Sequence, residues 1–161
     1  MYMHLSGMGE TQSMNLPMLP CLCGSMRRAA RALTQGYEKA MAPTGLTATQ
    51  MTILQVLAKV GKATQGRLGE ILAMDSTSLT RTLAVMSRKR WIAKRRGTDR
   101  RERWLSLSTT GEGKLKSAEP LWERVQRQLR REIGDDGWGQ LMALTQRLTE
   151  ALAKQDRVAE R

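Results

Sequence analysis

Nine basic residues, Arg88, Lys89, Arg90, Lys94, Arg95, Arg96, Arg100, Arg101 and Arg103, crowd into positions 88–103, where Asp99 and Glu102 are the acids. The 161-residue chain has 27 Lys and Arg against 15 Asp and Glu, a formal net charge of +12, and this window supplies +7 of it. A solvated face interleaves its signs more evenly, so a block of this kind points to a polyanion. Arginines at the tip of a loop suit the narrow minor groove of DNA, where the negative potential is highest. Asp99 lies two residues from Arg101. A carboxylate there does not attract DNA; it suits a brace that pairs with the guanidinium and holds the tip in shape.

A second group lies just upstream: Ser76, Thr77, Ser78, Thr80, Arg81 and Thr82. Small hydroxyl residues let a helix approach the floor of the major groove, and Arg81 has the reach for a guanine or a phosphate. The start of such a helix also offers backbone amides to phosphate oxygens. A third group is Cys21-Leu22-Cys23, with Arg27 and Arg28 nearby. Two cysteines so close together cannot staple a fold. At the mouth of a helix, beside cations, they fit a thiol that senses oxidants; the alternative is that they pack as small apolar residues.

Other chemistry finds little support. His4 is the single histidine, no glycine-rich loop cradles a phosphate, and no His, Cys and carboxylate set has metal-ligand spacing. The chain is therefore expected to be no enzyme and to need neither cofactor nor metal. No apolar run approaches the ~18 residues that span a bilayer. The first 19 residues hold no Lys or Arg and do not read as a signal peptide, so a cytoplasmic protein with no membrane partner is expected.

The elements that position these groups follow from periodicity. Leu22, Met26, Ala29, Leu33, Tyr37 and Ala40 recur at threes and fours, a helix that Pro43-Thr44-Gly45 stops. Thr47-Ala48-Thr49-Gln50 is a capping box for a second helix that ends at Gly61. Thr64 caps a short third helix with Leu68, Ile71 and Leu72, and Ala73-Met74 breaks it. Asp75 or Ser76 caps a fourth with a stripe of Leu79, Leu83 and Met86. Two short helices so joined make a helix-turn-helix. The period then changes: 91–96 and 103–107 read as two strands of a hairpin around a glycine-containing loop. Thr109 or Thr110 opens a long helix in which Pro120 predicts a kink or a later start. Asp135-Asp136 caps a last helix with Trp138, Leu141, Leu144, Leu148 and Leu152.

This order of elements resembles the multiple-antibiotic-resistance (MarR) family of regulators. The matching stretches are Gly45-Leu46-Thr47-Ala48-Thr49-Gln50, Ser78-Leu79-Thr80-Arg81-Thr82-Leu83, and Asp99-Arg100-Arg101 leading to Leu105-Ser106-Leu107-Ser108-Thr109-Thr110-Gly111. The resemblance covers roughly residues 20–155. It implies a mainly α (α+β) winged helix-turn-helix with terminal dimerisation helices, an obligate homodimer on a pseudo-palindromic operator, and Asp99 with Arg101 as the wing pair. It also allows a redox cysteine near Cys21 and Cys23, or a small aromatic or lipophilic acid as effector. One departure is Trp91, where such proteins usually place glycine after the recognition helix.

The resulting division is a disordered tail over 1–20, a single domain over 21–155, and a tail over 156–161. Within the domain, the DNA-binding lobe covers about 46–108, with dimerisation helices about 21–42 and 110–154. The reading is a homodimeric sequence-specific regulator of double-stranded DNA, a repressor released by a ligand or by thiol oxidation. Its alternatives are a non-specific or architectural DNA binder without an effector, and a module whose basic face meets an acidic protein.

Overall fold

The computed structural model describes residues 16–97 and 103–159, with side chains described as far as residue 155. The described residues divide into two compact units, the first ending at Leu33 and the second beginning at Thr34. In the first, the described residues are a short lead-in and the start of α1 (Leu22–Met41). Cys21 closes the helix start, its Sγ accepting the Gly24 N–H at 3.2 Å. Arg28 Nη1 donates to the Pro17 carbonyl at 2.8 Å. The part of the expected tail over 1–15 lies outside the described residues.

In the second unit α1 ends at the buried Met41, and a 3-10 turn, Ala42–Thr44, leads to Gly45 at a φ of 65°. The capping box is present: Thr47 Oγ1 accepts the Gln50 N–H and Gln50 Oε1 accepts the Thr47 N–H, opening α2 (Ala48–Val60). Three further helices and three strands complete the lobe. They are β1 (Lys62–Thr64), α3 (Gln65–Leu72), α4 (Ser76–Arg88), β2 (Ile92–Arg96), β3 (Arg103–Leu107) and α5 (Thr109–Ile133). The last helix, α6 (Asp135–Ala159), continues past the expected boundary at 155. The hairpin strands pair as expected, but the sheet has a third strand that the sequence does not announce. β1 pairs antiparallel with β3, giving the order β1-β3-β2. Three residues are too few to show a period of two, and Lys62-Ala63-Thr64 between a glycine and a cap reads as a linker.

The core forms where the apolar faces meet. Ile53, Leu54 and Leu57 from α2, Leu68 from α3, and Leu79, Leu83 and Met86 from α4 are buried together. Leu105 from β3 and Leu115 and Ala118 from α5 close the same cluster. α5 runs unbroken through Pro120, so the later start is not seen. Pro120 is exposed, where water can satisfy the carbonyl that its missing N–H leaves unpaired.

Both helices of the helix-turn-helix end on the same device. Ala73 takes a φ of 48° while its N–H and that of Met74 return to Glu70 and Gly69. Arg90 takes a φ of 58° while its N–H and that of Trp91 return to Ser87 and Met86, at 2.9 and 3.0 Å. This is the Schellman closure, which glycine usually completes because a Cβ is strained there. The position that would suit glycine after α4 is therefore Arg90. Trp91 follows it as the buried apolar residue that seals the motif.

The exit from α4 is welded to the start of α5. Ser108 caps α5 by accepting the Gly111 N–H at 3.0 Å, and the same hydroxyl donates to the Arg90 carbonyl. The Ser108 N–H donates to the Trp91 carbonyl at 3.1 Å. Gly111 lies against that carbonyl so closely that a Cβ would sit 1.9 Å from its oxygen. Lys89 and Lys114 hold their ammonium groups 4.7 and 5.3 Å from the Trp91 ring centre, and Lys114 also donates to the Thr44 carbonyl.

These contacts can be tested at two places. Gly111→Ala should lower the unfolding free energy in urea by about 2–3 kcal/mol, because helix and turn must part. Gly113→Ala, with nothing within 4 Å, should instead raise it by about 0.5–1 kcal/mol. The second place is Asp75, whose carboxylate accepts the Ser78 N–H at 2.8 Å and caps α4. The hydrogen bonds from Ser78 hold its pKa below the ordinary carboxylate value. Its contribution is then complete above the unfolded pKa of about 3.9 and lost as pH falls through the lower folded value. Urea midpoints of the native protein and of Asp75→Ala should differ by a constant amount down to about pH 4 and converge below it.

Candidate nucleic-acid interface

Helical geometry sorts the candidate residues of α4. With Leu79, Leu83 and Met86 turned into the core, a step of about 100° per residue sets Thr77, Arg81, Ala84 and Arg88 on the opposite side. All four are exposed. Ser76, Ser78 and Thr80 are exposed on the flanks, and Thr82 is half-buried. The outward face is therefore two small side chains and two arginines, the arginines about two turns apart.

The hydroxyls of this helix are not equivalent. Thr80 Oγ1 donates to the Ser76 carbonyl at 2.6 Å and accepts from Gln65 Nε2 at 2.7 Å. Thr82 Oγ1 donates to the Ser78 carbonyl at 3.0 Å. Both have committed their proton to the helix backbone. The Ser78 amide, one of the donors expected to face phosphate, is taken by Asp75. Gln65, half-buried at the start of α3, and the exposed Arg88 belong to the surface of the pair, although the sequence does not single them out as site residues. The Gln65–Thr80 bond spans 15 positions, and no local pattern announces it. Arg88 is legible as part of the charge block but not as a member of the α4 face.

The hairpin distributes its cations over two faces. Arg96 stands opposite Arg103 in register, and both are exposed. Like charges facing each other across a strand pair repel, so this rung is a poor stabiliser of the sheet and a good site for an anion. Strand alternation places Arg96 and Arg103 on the side of the sheet that carries the buried Leu105 and Ile92. Arg95 pairs with Trp104 on the other side. The two neighbouring arginines thus serve different faces. Asp99, Arg100 and Arg101, and with them the expected wing pair, lie outside the described residues.

Cys21 and Cys23 are free and exposed. Among the described residues no group of three or more His, Cys, Asp or Glu is placed to hold a metal ion, and no helix is long and apolar enough to cross a membrane.

Comparison with known proteins gives this geometry a context. A family model described as MarR family matches residues 44–102, from the turn before α2 to the end of the hairpin loop. The structure of the M. tuberculosis transcriptional regulator MosR in complex with DNA is 34% identical, covers 83% of this chain and 97% of its own, and superposes with a TM-score of 0.75. A mutant of E. coli MarR complexed with operator DNA shares the fold at 20% identity and a TM-score of 0.71, over 79% of this chain and 92% of its own. The HTH-type transcriptional regulator YwoH of Bacillus subtilis (strain 168) is 24% identical over 115 residues, which are 71% of this chain and 84% of that protein. The helix-turn-helix, its hairpin and a relative matched almost end to end lead to one conclusion: this chain belongs to the MarR family of transcription regulators.

Proposed function

We propose that this chain is a homodimeric, sequence-specific DNA-binding repressor that reads a pseudo-palindromic duplex with α4 and grips the adjacent minor groove with the hairpin. The observation that carries the reading is the exposed face of α4. Arg81 and Arg88 stand among small side chains, and the acid at the helix start, Asp75, is occupied as a cap. Such a face is shallow enough to enter a major groove and cationic enough to stay there. The MosR and MarR structures complexed with DNA support the same reading.

A dimer follows from what the long helices leave uncovered. In the second unit Leu144 and Leu152 of α6 remain more than half exposed, and Ile133, Leu141 and Met142 are exposed with them. In the first, Leu22 of α1 is 59% exposed. Apolar stripes of this length call for a partner helix. One copy also offers too little surface to specify an operator, whereas two copies double the contacts at fixed spacing.

The test is a titration of the duplex upstream of the protein's own gene, with random DNA as competitor and salt varied. Specific binding should survive excess competitor; binding that collapses with salt alike on every sequence would overturn the reading. Arg81→Ala should cost about 1–3 kcal/mol and relax preference at particular base pairs.

Release by thiol oxidation is the reading of the input that a specific observation favours. Cys21 and Cys23 are exposed and free, and the Cys21 Sγ is the group that closes the first turn of α1. A peroxide that transfers one oxygen to this sulfur leaves a sulfenic acid and water, and puts a bulkier polar group where the cap was. Peroxide should weaken DNA binding by the native protein at least about tenfold, roughly 1.4 kcal/mol, and leave a Cys21→Ser, Cys23→Ser variant unchanged. Equal affinities before and after treatment would end the proposal.

A further inference from the structure

The outer face of the sheet carries a cleft that neither α4 nor the core accounts for. Its volume is about 650 Å³, and Lys62, Arg95, Arg96, Trp104 and Ser106 line it. The register explains how these residues meet. Directly opposite residues in antiparallel strands share a face, so Lys62 with Ser106, and Arg95 with Trp104, project from the side away from Leu105. Lys62, from the unannounced strand β1, holds its ammonium 5.0 Å from the centre of the Trp104 ring. A cation so placed is attracted by the ring's quadrupole and loses part of the freedom that a lysine on a plain surface keeps. Lys62 and Arg95 are the cations that project from this face; Arg96, which strand alternation puts on the other, borders the cleft at the end of β2, and among the described residues no carboxylate lines it.

We infer that this cleft is a phosphate site for duplex DNA, gripping the backbone strand on the far side of the minor groove from α4. The inference rests on the DNA-binding reading above. A hairpin that enters a minor groove about 6 Å wide has a phosphate strand along each of its faces. Arg96 and Arg103 stand on the face shared with the helices and meet the strand nearer to α4. Arg95 and Lys62 stand on the other, and the strand they meet lies toward the flank of the operator. A small anion also fits this chemistry. The duplex is favoured because the cleft is open, lies beside the Arg96–Arg103 rung, and sets its cations on both sides of Trp104, Lys62 on one edge strand and Arg95 on the other. Trp104 acts here as a positioning residue for Lys62, because its ring face is already covered by the ammonium.

The experiment compares native protein with Lys62→Gln and with Trp104→Leu, each first shown by thermal melting to be folded at the assay temperature. Two operator duplexes are used, one with long flanks and one cut back to the outer edge of the wing contact. The native protein should bind the long duplex several-fold more tightly. Lys62→Gln should abolish that difference and make the dependence of log K on log salt shallower by about 0.9, one phosphate's worth. Trp104→Leu should lose part of the same gain. Calorimetry with inorganic pyrophosphate separates the two sources of anion. Lys62-dependent binding of pyrophosphate, with duplex affinity and salt slope untouched in Lys62→Gln, would overturn the proposal in favour of a small-anion site. Unchanged slope and length dependence with no pyrophosphate binding would overturn it outright. Native protein that binds no duplex specifically would instead sink the reading on which the inference rests.

Discussion

One carbonyl, that of Trp91, governs how the lobe is assembled. It accepts the Ser108 N–H and lies against the bare Cα of Gly111, so the end of α4 and the beginning of α5 touch backbone to backbone. Ser108 adds a second tie through its hydroxyl to Arg90, and in the same position caps α5. The hairpin leaves from this junction and returns to it: β2 starts directly after Trp91 and β3 ends directly before Ser108. Recognition helix, sheet and long helix therefore share one fixed point. The left-handed turn at Arg90 is unfavourable for a residue with a side chain by about 1–2 kcal/mol. It persists because the hydrogen bonds and the buried indole around it leave the chain no cheaper route.

The charge distribution works against this compactness rather than for it. Ion pairs on the described surface, such as Arg67 with Glu70 and Arg127 with Glu123, are exposed and neighbours on a helix, worth about a few tenths of a kcal/mol each. The cations of the sheet are arranged otherwise. Arg96 faces Arg103 across the strands, and Lys62 rests on an aromatic ring. Self-repulsion of this kind lowers folding stability and is relieved when phosphates replace counterions, so affinity for DNA is expected to fall steeply with salt. The surface is arranged for a polyanion at the expense of the isolated chain.

What can be read from the sequence is whatever depends on near neighbours. The capping box of Thr47 and Gln50, the caps at Thr64 and Asp75, and the stripe of Leu79, Leu83 and Met86 are all settled within one or two turns, and the structure has each of them. Contacts over longer separations leave no local trace. β1 is three residues long, and becomes a strand because β3 offers it a ladder. Ser108 reads as the end of a strand, yet its hydroxyl serves Arg90, 18 positions away. Trp91 is the unusual residue after a helix, but the unusual backbone belongs to Arg90, since φ is a property that composition does not display. In the same way the six candidate residues on α4 mix an outward face with flanks. Periodicity separates Thr77 and Arg81 from Thr82, while only the fold shows that Thr80 is already engaged by Gln65.

The weld at Trp91 also constrains how binding is switched. If α4, the sheet and the first turn of α5 move as one body, a signal cannot act by tilting the recognition helix within its lobe without breaking the Ser108 and Gly111 contacts. Those contacts are short, join residues about 17–20 positions apart and are partly buried, and opening them exposes the indole of Trp91. The softer coordinate in the proposed dimer is the separation of its two lobes, which α5 carries rigidly at its beginning and which the uncovered apolar faces of α6 set elsewhere. Two recognition helices fit one face of a duplex only near one helical turn, about 34–36 Å apart. A change of a few ångströms in that spacing removes one half-site from register while leaving every contact inside each lobe intact. For the proposed dimer, regulation would then be a matter of distance between lobes, and the chemistry that alters it would belong on the long helices rather than on the DNA-facing surface.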